Sequence, residues 1–349
     1  MKNILVIANY KGSIGGISGQ VEQLQNCLMN EGVSELGNER YRADIFSTQG
    51  NVVRRVLKFI ELIWEARKYD VLHLHGCSER GMLPIVYGVI AGKIWRKRII
   101  VTYHGGGAEE YFSKHGAFAR RWLKRADKVI VLNGYLDKVF AKYNIPCIVI
   151  PNFVDLPKIE HIEAIDAKTV RFISVRHLDE LYNVGSIIRA YEKAKKKLDG
   201  ASLTILGDGP QREELEQMVK RKVESGEWKE DDVRFVGQVS NKEIYTYLAN
   251  SDIMLSAPRI DNMPVSVLEA MNAGVLVISS RVGGVPYIIE EDKTGLLFEY
   301  NNADELAQKM IWAAEHRQEV KEMTDAAKEE VKKYSWQNIR TVLLPLYEG

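Results

Sequence analysis

Short apolar segments alternate with longer amphipathic stretches along all 349 residues of the chain. The apolar segments contain few polar residues, which is typical of strands buried on both faces of a parallel sheet. Because helical patterns separate these segments, the sequence predicts two Rossmann-like α/β domains, and the chain is long enough for two cores. The predicted strands are Ile4–Ala8, Arg42–Phe46, Val71–His75, Ile99–Tyr103, Val129–Leu132, Cys147–Ile150, Val170–Val175, Ser202–Leu206, Val233–Val236, Ile253–Ser256, Val275–Ser279 and Gly295–Phe298.

The segment Pro151–Lys168 separates the two halves, because two prolines and a mixed polar tract interrupt the regular pattern there. We therefore predict an N-terminal domain over residues 1–152 and a linker over 153–168. A second domain is predicted over 169–333, followed by a last helix within 334–349.

Charge is distributed unevenly between the halves, although the net charge of the whole chain is only +1. Residues 1–152 contain 22 Lys and Arg against 13 Asp and Glu, a net charge of +9, and residues 153–349 contain 26 against 34, a net charge of −8. A basic half suits anionic lipid headgroups or an anionic acceptor. Nucleic acid is the weaker alternative, since no nucleic-acid-binding motif accompanies the charge, and we predict no nucleic-acid partner.

One basic stretch, Ala117–Lys128, combines Phe118 and Trp122 with five Lys and Arg residues. This composition is typical of a helix that lies in a membrane interface. An ordinary surface helix with a small apolar stripe has the same composition, so both interpretations stay open.

The chain shows no signal-peptide pattern at its start and no apolar run of the roughly 20 residues that span a bilayer. Its three cysteines, Cys27, Cys77 and Cys147, are widely spaced and form no disulfide framework. We therefore expect a cytoplasmic protein, whose basic half suits peripheral contact with the inner face of the membrane.

Two glycine-rich segments follow predicted strands of the first half. Gly15 and Gly16 lie just before a predicted helix, where free N–H groups suit an anion, although a plain tight turn explains them equally well. His104 begins the run HGGG at the end of the strand Ile99–Tyr103. In open parallel sheets, ligands bind beyond such strand ends, so His104 can donate a hydrogen bond to one; a loop histidine beside a turn is the structural alternative.

Three histidines of the first half raise the question of a metal site. We expect His73 and His75 to lie on opposite faces of their strand, and neither acidic nor cysteine ligands accompany them and His104. We therefore predict no metal site.

In the second half, Arg176 follows the strand Val170–Val175, where a guanidinium suits a two-point contact with phosphate. The turn Gly207-Asp208-Gly209 follows the next strand and can contact a ligand or serve structure alone.

The most informative segment of this half contains Asp261 in a loop and Glu269 in the helix that follows. Two carboxylates at one cleft can accept hydrogen bonds from sugar hydroxyls. The helix start over Met263–Val267 can offer N–H groups and its dipole to a phosphate.

Together, these motifs resemble the retaining glycosyltransferases of family 4 (glycosyl transferases group 1). The matching motifs, in chain order, are GGI near the start, HGGG, PNFVD, Arg176, GDGP, VRFVGQV, Asp261-x7-Glu269, VGGVP and TGLLF. The resemblance implies the GT-B fold, in which two Rossmann-like domains face each other across a cleft and a C-terminal helix returns to the first domain.

The resemblance also implies roles for individual residues. His104 would lie beside the transferred sugar, Arg176 would bind the diphosphate, and Asp261 would hold sugar hydroxyls; these three are the predicted catalytic residues. Glu269 would hold the ribose hydroxyls. The predicted donor-binding residues are Gly15, Gly16, Gly207, Asp208, Gly209, Asn262, Met263, Pro264, Val265, Ser266, Val267 and Glu269.

The sequence departs from the family pattern at three places. Tyr182 and Asn183 occupy the region where many relatives have a lysine, Asp261 replaces the usual glutamate, and Tyr287 follows VGGVP where glutamate is common. One cation for the diphosphate is thus missing or supplied elsewhere.

We expect the protein to move a hexose-type sugar from a UDP- or GDP-sugar to a glycan or lipid-linked glycan. The resemblance implies retention of configuration, no metal or other cofactor, and a role in cell-surface polysaccharide biosynthesis. A nucleotide-sugar epimerase or hydrolase of the same architecture is one alternative. A non-catalytic nucleotide-sugar-binding subunit is the other.

Overall fold

The computed structural model describes residues 1–10, 16–31, 40–159 and 169–349. They form two compact units: unit 1 comprises Met1–Phe153 with Tyr334–Gly349, and unit 2 comprises Val154–Lys333. Gly15 and the greater part of the predicted linker lie outside the described residues.

All twelve predicted strands occur in the described residues, with ends that differ from the predicted ones by at most two residues. They are β1 (Lys2–Ala8), β2 (Tyr41–Ser47), β3 (Val71–Gly76), β4 (Arg98–Tyr103), β5 (Lys128–Val131), β6 (Ile148–Val149), β7 (Arg171–Val175), β8 (Ser202–Leu206), β9 (Val233–Gly237), β10 (Ile253–Ser256), β11 (Leu276–Ser280) and β12 (Leu296–Phe298). Every neighbouring pair within the two sheets is parallel.

The α-helices in the described residues connect these strands and follow the last one. They are α1 (Gly16–Asn30), α2 (Val52–Ala66), α3 (Leu83–Ile94), α4 (Ala108–Leu123), α5 (Gly134–Lys142), α6 (Val184–Lys195), α7 (Arg212–Glu224), α8 (Asn241–Ala249), α9 (Val265–Ala273), α10 (Ala303–Glu315), α11 (Arg317–Val331), α12 (Trp336–Leu343) and α13 (Pro345–Glu348).

The sheet of unit 1 has the strand order β2-β1-β3-β4-β5-β6 and is buried on both faces. Strand β1 shows this directly, because Leu5 and Ile7 pack in one apolar cluster while Ile4 and Val6 pack in another. The second cluster also contains Tyr347 of the last helix, which is fully buried. The C-terminal segment therefore packs against the sheet of unit 1.

The sheet of unit 2 has the order β12-β11-β10-β7-β8-β9. The chain runs outward from β7 in one direction through β8 and β9, then returns to the other side of β7 with β10. The strand order therefore reverses between β7 and β10, and in open α/β sheets ligands bind beyond the carboxyl ends of the strands at such a point. Arg176 follows β7 and Asp261 lies in the loop after β10.

Candidate active site

Arg176 lies at the carboxyl end of β7 in unit 2, with its side chain only 9% exposed. Its Nε and Nη2 atoms donate hydrogen bonds to the Ser256 hydroxyl at 3.3 and 3.0 Å. The guanidinium carbon lies 5.4 Å from the centre of the Tyr182 ring. These contacts hold the cation in one orientation at the point where the strand order reverses.

Asp261 is the acidic neighbour of this arginine. Its Oδ1 atom accepts a hydrogen bond of 2.8 Å from the backbone N–H of Asn262, and its Oδ2 atom lies 3.1 Å from Arg176 Nη2. The second contact is a charge contact, since no donor among the described residues is aligned for a hydrogen bond to the buried Oδ2 atom. Asp261 thus balances the charge of Arg176 and keeps an acceptor atom for a ligand hydroxyl.

The VGGVP loop holds Asp261 in place through its backbone. Gly284 N–H donates a hydrogen bond of 3.0 Å to the Asp261 carbonyl oxygen. Gly283 has a φ of +51°, and a Cβ atom at this position would lie 2.1 Å from the same oxygen. Both the conformation and the close approach require glycine at this position.

The turn Gly207-Asp208-Gly209 supports the loop that presents Arg176. Gly207 has a φ of +133°, and a Cβ atom there would lie 1.9 Å from the Arg176 carbonyl oxygen. Asp208 accepts a hydrogen bond of 2.8 Å from Gly209 N–H and lies 3.3 Å from a nitrogen of Arg212. The structural interpretation therefore accounts for the turn, and its donor-binding role stays a prediction.

Glu269 is a buried acid on α9, 8% exposed. Burial raises the pKa of its carboxyl to about 7; the charge of Arg176 acts in the opposite direction, and Asp155 adds to the rise. Glu269 and Arg176 therefore act on each other electrostatically, and a ligand that donates hydrogen bonds to this carboxyl would favour its ionised form.

Helix α9 begins after Pro264, and the side chains of Asn262, Met263, Pro264 and Val267 are buried. Val265 and Ser266 form its first turn, where backbone N–H groups have no partner within a helix. The predicted phosphate-facing groups thus occur on a helix N-terminus, and their ligand stays a prediction.

Unit 2 contains a distinctive set of buried polar atoms without hydrogen-bond partners among the described residues. Each atom belongs to one of the last two residues of a strand, to the loop after a strand, or to the start of a helix. In a parallel sheet these positions form its carboxyl edge. They are Ser174 Oγ, Asn183 Nδ2, Ser186 Oγ, Asp261 Oδ2, Ser266 Oγ and Ser279 Oγ. Because buried polar groups are normally satisfied, this edge has the composition of a site for a polar ligand.

The arrangement of histidines in unit 1 corrects one prediction. His73 and His75 lie on the same face of β3, with ring centres 4.3 Å apart, and not on opposite faces. The reason is that side chains two positions apart on a strand project to the same side. Both ring nitrogens of His73 have partners within the protein, since they are hydrogen-bonded to the hydroxyls of Thr102 and Tyr347, each at 2.8 Å.

His104 follows β4 and lies stacked against His75, with a hydrogen bond of 2.9 Å between His75 Nδ1 and His104 Nε2. Burial lowers the pKa of His104 to about 4, and burial with the neighbouring imidazoles holds the pKa of His75 well below its usual value. Both rings are therefore neutral near pH 7. The second ring nitrogen of His75, Nε2, is buried and has no hydrogen-bond partner among the described residues.

His75 Nδ1 and His104 Nε2 are hydrogen-bonded to each other, so these two nitrogens do not converge on a common point. Across the described ranges, no three His, Cys, Asp or Glu side chains are arranged to hold a metal ion. The expectation that no metal takes part in the reaction stays a prediction.

Gly16 begins α1 in unit 1, and a Cβ atom there would meet no atom of the described residues within 4 Å. Of the predicted residues, Arg176, Asp261 and Glu269 belong to unit 2, and Gly16 and His104 belong to unit 1.

The sequence analysis did not predict three contacts of the candidate catalytic residues. Ser256 accepts hydrogen bonds from Arg176, the Tyr182 ring lies beside the same guanidinium, and His75 is hydrogen-bonded to His104. Ser256 ends the strand that pairs with β7, so the strand order would have indicated it. The HxH spacing of His73 and His75, interpreted with the correct two-residue period, would have placed both side chains on one face of β3.

The chain matches the sequence model "Glycosyl transferases group 1" over residues 156–330 and "Glycosyltransferase Family 4" over residues 35–158. The sulfoquinovosyl transferase SQD2 of Arabidopsis thaliana is 30% identical over 148 residues, which are 42% of this chain and 27% of that protein. The chain thus matches only about a quarter of the length of that relative.

Two further relatives match over a larger share of both proteins. The N-acetyl-alpha-D-glucosaminyl L-malate synthase of Bacillus anthracis is 26% identical over 275 residues, 75% of this chain and 70% of that protein. The crystal structure of HepE from Anabaena in complex with UDP and glucose superposes with a TM-score of 0.78 at 17% identity, covering 99% of both chains. The fold is thus shared over the whole chain.

Proposed function

Because the chain belongs to the glycosyl transferases of group 1, we propose that it moves a sugar from a nucleotide-sugar donor to a glycan or lipid-linked glycan, with retention of configuration. The family and the GT-B-type α/β fold predicted from the motifs are confirmed. The proposal extends them to the donor, the acceptor class and the stereochemistry.

One observation carries the proposal: a fixed guanidinium lies at the edge of unit 2 that also contains six buried polar atoms without hydrogen-bond partners in the described part of the chain. A nucleoside diphosphate sugar has the groups that such an edge lacks. Its phosphates offer charged acceptors to Arg176, and its hydroxyls offer donors to Asp261 and Glu269. An apolar ligand would leave these atoms unsatisfied, and a cationic ligand would offer no acceptor to Arg176 or to Asn183 Nδ2.

In the proposed complex, Arg176 binds the diphosphate and Glu269 accepts hydrogen bonds from the ribose hydroxyls. Asp261 accepts from a sugar hydroxyl through its free Oδ2 atom. The N-terminus of α9 adds backbone N–H groups and a favourable dipole to the phosphates. UDP-sugars are the first donors to test, since HepE was crystallised with UDP and glucose.

Cleavage of the bond between the sugar and the diphosphate places negative charge on the leaving phosphate. Arg176 is already oriented by Ser256 and Tyr182, so it stabilises this charge without reorganisation in the transition state. The anomeric carbon becomes positive at the same time, and a neutral His104 beside the sugar adds no opposing charge. The proposed reaction requires no metal, because Arg176 and the N-terminus of α9 stabilise the charge of the leaving phosphate.

A nucleotide-sugar-binding subunit without activity is the second candidate. Tyr182 and Asn183 stand where many relatives have a lysine, which favours this alternative. Two groups in this region replace part of what a lysine would supply, which favours the enzyme. The Tyr182 ring contacts the guanidinium of Arg176, and Asn183 Nδ2 is a donor without a partner among the described residues.

A panel of UDP- and GDP-sugars separates these functions in two steps. Thermal shift first identifies the nucleotide sugars that stabilise the protein, since a ligand that binds the native state raises its melting temperature. The products formed from each binding donor are then measured with and without a lipid-linked glycan acceptor. Transfer supports the proposal, whereas stabilisation without turnover supports the binding subunit, and free sugar or an isomerised donor supports a hydrolase or epimerase.

A further inference from the structure

Helix α2 of unit 1 exposes a row of large apolar side chains. They recur at intervals of one, three or four residues, so most of them lie on one side of the helix. Each is between 50% and 77% exposed: Val52, Val53, Val56, Leu57, Ile60 and Trp64. A surface helix of a globular protein normally presents polar residues on its exposed side, so this face is unusual.

The end of the neighbouring helix α3 extends the same surface. Trp95 Nε1 donates a hydrogen bond of 2.6 Å to the carbonyl oxygen of Ile63 in α2, which fixes the two segments beside each other. Trp95 and its neighbour Ile94 are both exposed. We call the six residues of α2 together with Ile94 and Trp95 the α2 face.

The α2 face is not needed to hold the helix in place. Leu62 and Ala66 bury the opposite side of α2 in the core, and Phe59 packs on Tyr87 with ring centres 4.7 Å apart. Asn51 caps the start of the helix by accepting a hydrogen bond of 2.9 Å from the backbone N–H of Arg54. The exposed residues are therefore available for a partner.

Positive charge surrounds this apolar surface. Residues 51–68 contain five Lys and Arg against two Glu. Lys58 and Lys68 pair with these two glutamates, Glu61 and Glu65, so arginines supply the excess of charge. Lys93 and Arg96, beside Ile94 and Trp95, are exposed as well.

We propose that the α2 face inserts into the surface of a bilayer that contains anionic lipids. Apolar side chains with tryptophans on one face of a helix, bordered by Lys and Arg, are the combination that binds lipid interfaces. The charge excess selects anionic headgroups. The proposal goes beyond the proposed function, since it concerns a surface and not the donor, and it is tested without measuring transfer.

The structure favours α2 over the stretch Ala117–Lys128 that the sequence indicates. In the part of α4 that covers this stretch, Phe118 is the one large apolar side chain that is exposed, at 45%. Trp122 is half-buried and packs against the core. This segment therefore has the features of an ordinary surface helix, and Phe118 provides a matched control.

Among the described residues, no helix is both long enough and apolar enough to cross a bilayer. Binding through the α2 face would place α2 in the plane of the interface, as its pattern of apolar and basic residues requires.

The test measures binding of the full chain to vesicles of phosphatidylcholine alone and of phosphatidylcholine mixed with phosphatidylglycerol. We expect binding to the mixed vesicles that weakens in high salt. The triple variant Leu57→Gln/Ile60→Gln/Trp64→Gln should bind at least about tenfold more weakly, because three apolar insertions are lost. Phe118→Gln should bind within about twofold of the parent. Equal binding of the triple variant and the parent, or no binding of the parent, overturns the proposal.

Two further measurements keep the test decisive. Brominated phosphatidylglycerol should quench tryptophan fluorescence of the parent, and Trp64→Phe or Trp95→Phe should remove part of this quenching, whereas Trp228→Phe, buried in unit 2, should not. Sedimentation velocity without lipid should show the same mass for the parent and the triple variant. A parent dimer that the triple variant dissociates would assign the α2 face to a second copy of the chain and overturn the proposal.

Discussion

Arg176 Nη2 and Asp261 Oδ2 lie 3.1 Å apart, on loops that follow two neighbouring strands of unit 2. The two residues are 85 positions apart in the sequence, and the strand order alone brings them together. Asp261 has one oxygen bound to the backbone and one facing the cation without an aligned donor. The pair is thus partly neutralised and still open to a polar ligand.

Replacing Asp261 by Asn should weaken use of the sugar part of the donor more than binding of the nucleotide. An amide cannot supply the charged acceptor that we assign to a sugar hydroxyl, and hydrogen bonds to charged groups contribute about 1.5–3 kcal/mol. We therefore expect kcat/KM for the nucleotide sugar to fall about tenfold or more, and the affinity for the free nucleoside diphosphate to change much less. Steady-state kinetics and calorimetry measure the two quantities.

The matched control for this substitution is Asp325→Asn, because Asp325 is an exposed acid paired with Lys321 in the same unit and has no assigned role in binding. It should leave both quantities within about twofold of the parent. An equal loss of sugar-nucleotide and free-nucleotide binding in Asp261→Asn would show that Asp261 acts only through Arg176.

Glu269 makes the stability of the protein depend on pH in a defined direction. Its pKa is about 7 in the folded chain against an ordinary value of 4.5, so between these values the unfolded chain is ionised there and the folded chain is not. Stability contributed by this group therefore falls as pH rises from about 4.5 to about 7, by no more than about 3 kcal/mol. Glu269→Gln should be more stable than the parent at pH 8 and closer to it at pH 5, as measured by thermal unfolding.

The same carboxyl should make nucleotide affinity rise with pH. Hydrogen bonds from ribose hydroxyls favour the ionised form, so binding lowers the pKa of Glu269 and releases protons near pH 7. Calorimetry in buffers of different ionisation enthalpy should detect this release in the parent and not in Glu269→Gln. Proton release of equal size in both proteins would place the ribose away from Glu269.

The hydrogen bond between His75 and His104 should matter for transfer, although His75 lies behind the residue that we place beside the sugar. By occupying His104 Nε2, His75 sets which nitrogen of His104 carries the proton. We expect His75→Ala to lower kcat with little change in nucleotide affinity. His75→Asn, whose amide can replace the Nδ1 atom, should restore part of the rate; a similar loss in both variants would indicate a purely structural role.

Gly283 should tolerate no side chain, because a Cβ atom would collide with the Asp261 carbonyl oxygen. Gly283→Ala is expected to lose more stability than the roughly 1–2 kcal/mol that a left-handed conformation costs an alanine. Gly226→Ala is the matched control, since Gly226 has a φ of +77° and no atom within 4 Å of the added Cβ. Urea unfolding of the two variants separates the clash from the conformational strain, and equal losses would contradict the assigned role.

The sequence predicted the fold well because its signals are local. Each strand is a short apolar run, which indicates burial on both faces of the sheet. Strand β1 is an example, because its alternate residues pack in two different apolar clusters. The positions of Arg176 and Asp261 at strand ends followed from the same runs.

Side-chain partners were harder to predict, because they depend on which strands are neighbours. The contact of Arg176 with Ser256 requires the pairing of β7 with β10. These strands are not consecutive in the chain, so their order in the sequence does not indicate that they are neighbours. The exposed face of α2 was missed for a related reason. Its apolar residues have the spacing of a helix face that packs on the core, and only the packing shows that Leu62 and Ala66 face the core instead.

The rate of nucleoside diphosphate release from the preferred nucleotide sugar, in the presence of its acceptor, is the most direct measure of the role that we propose for Arg176. Arg176→Ala should lower this rate by about 10²–10³, since it removes a charged donor aimed at the leaving phosphate. Arg189→Ala, which removes an exposed arginine from α6 of the same unit, should leave the rate within about twofold of the parent. Retention of the parental rate by a folded Arg176→Ala protein would contradict the account.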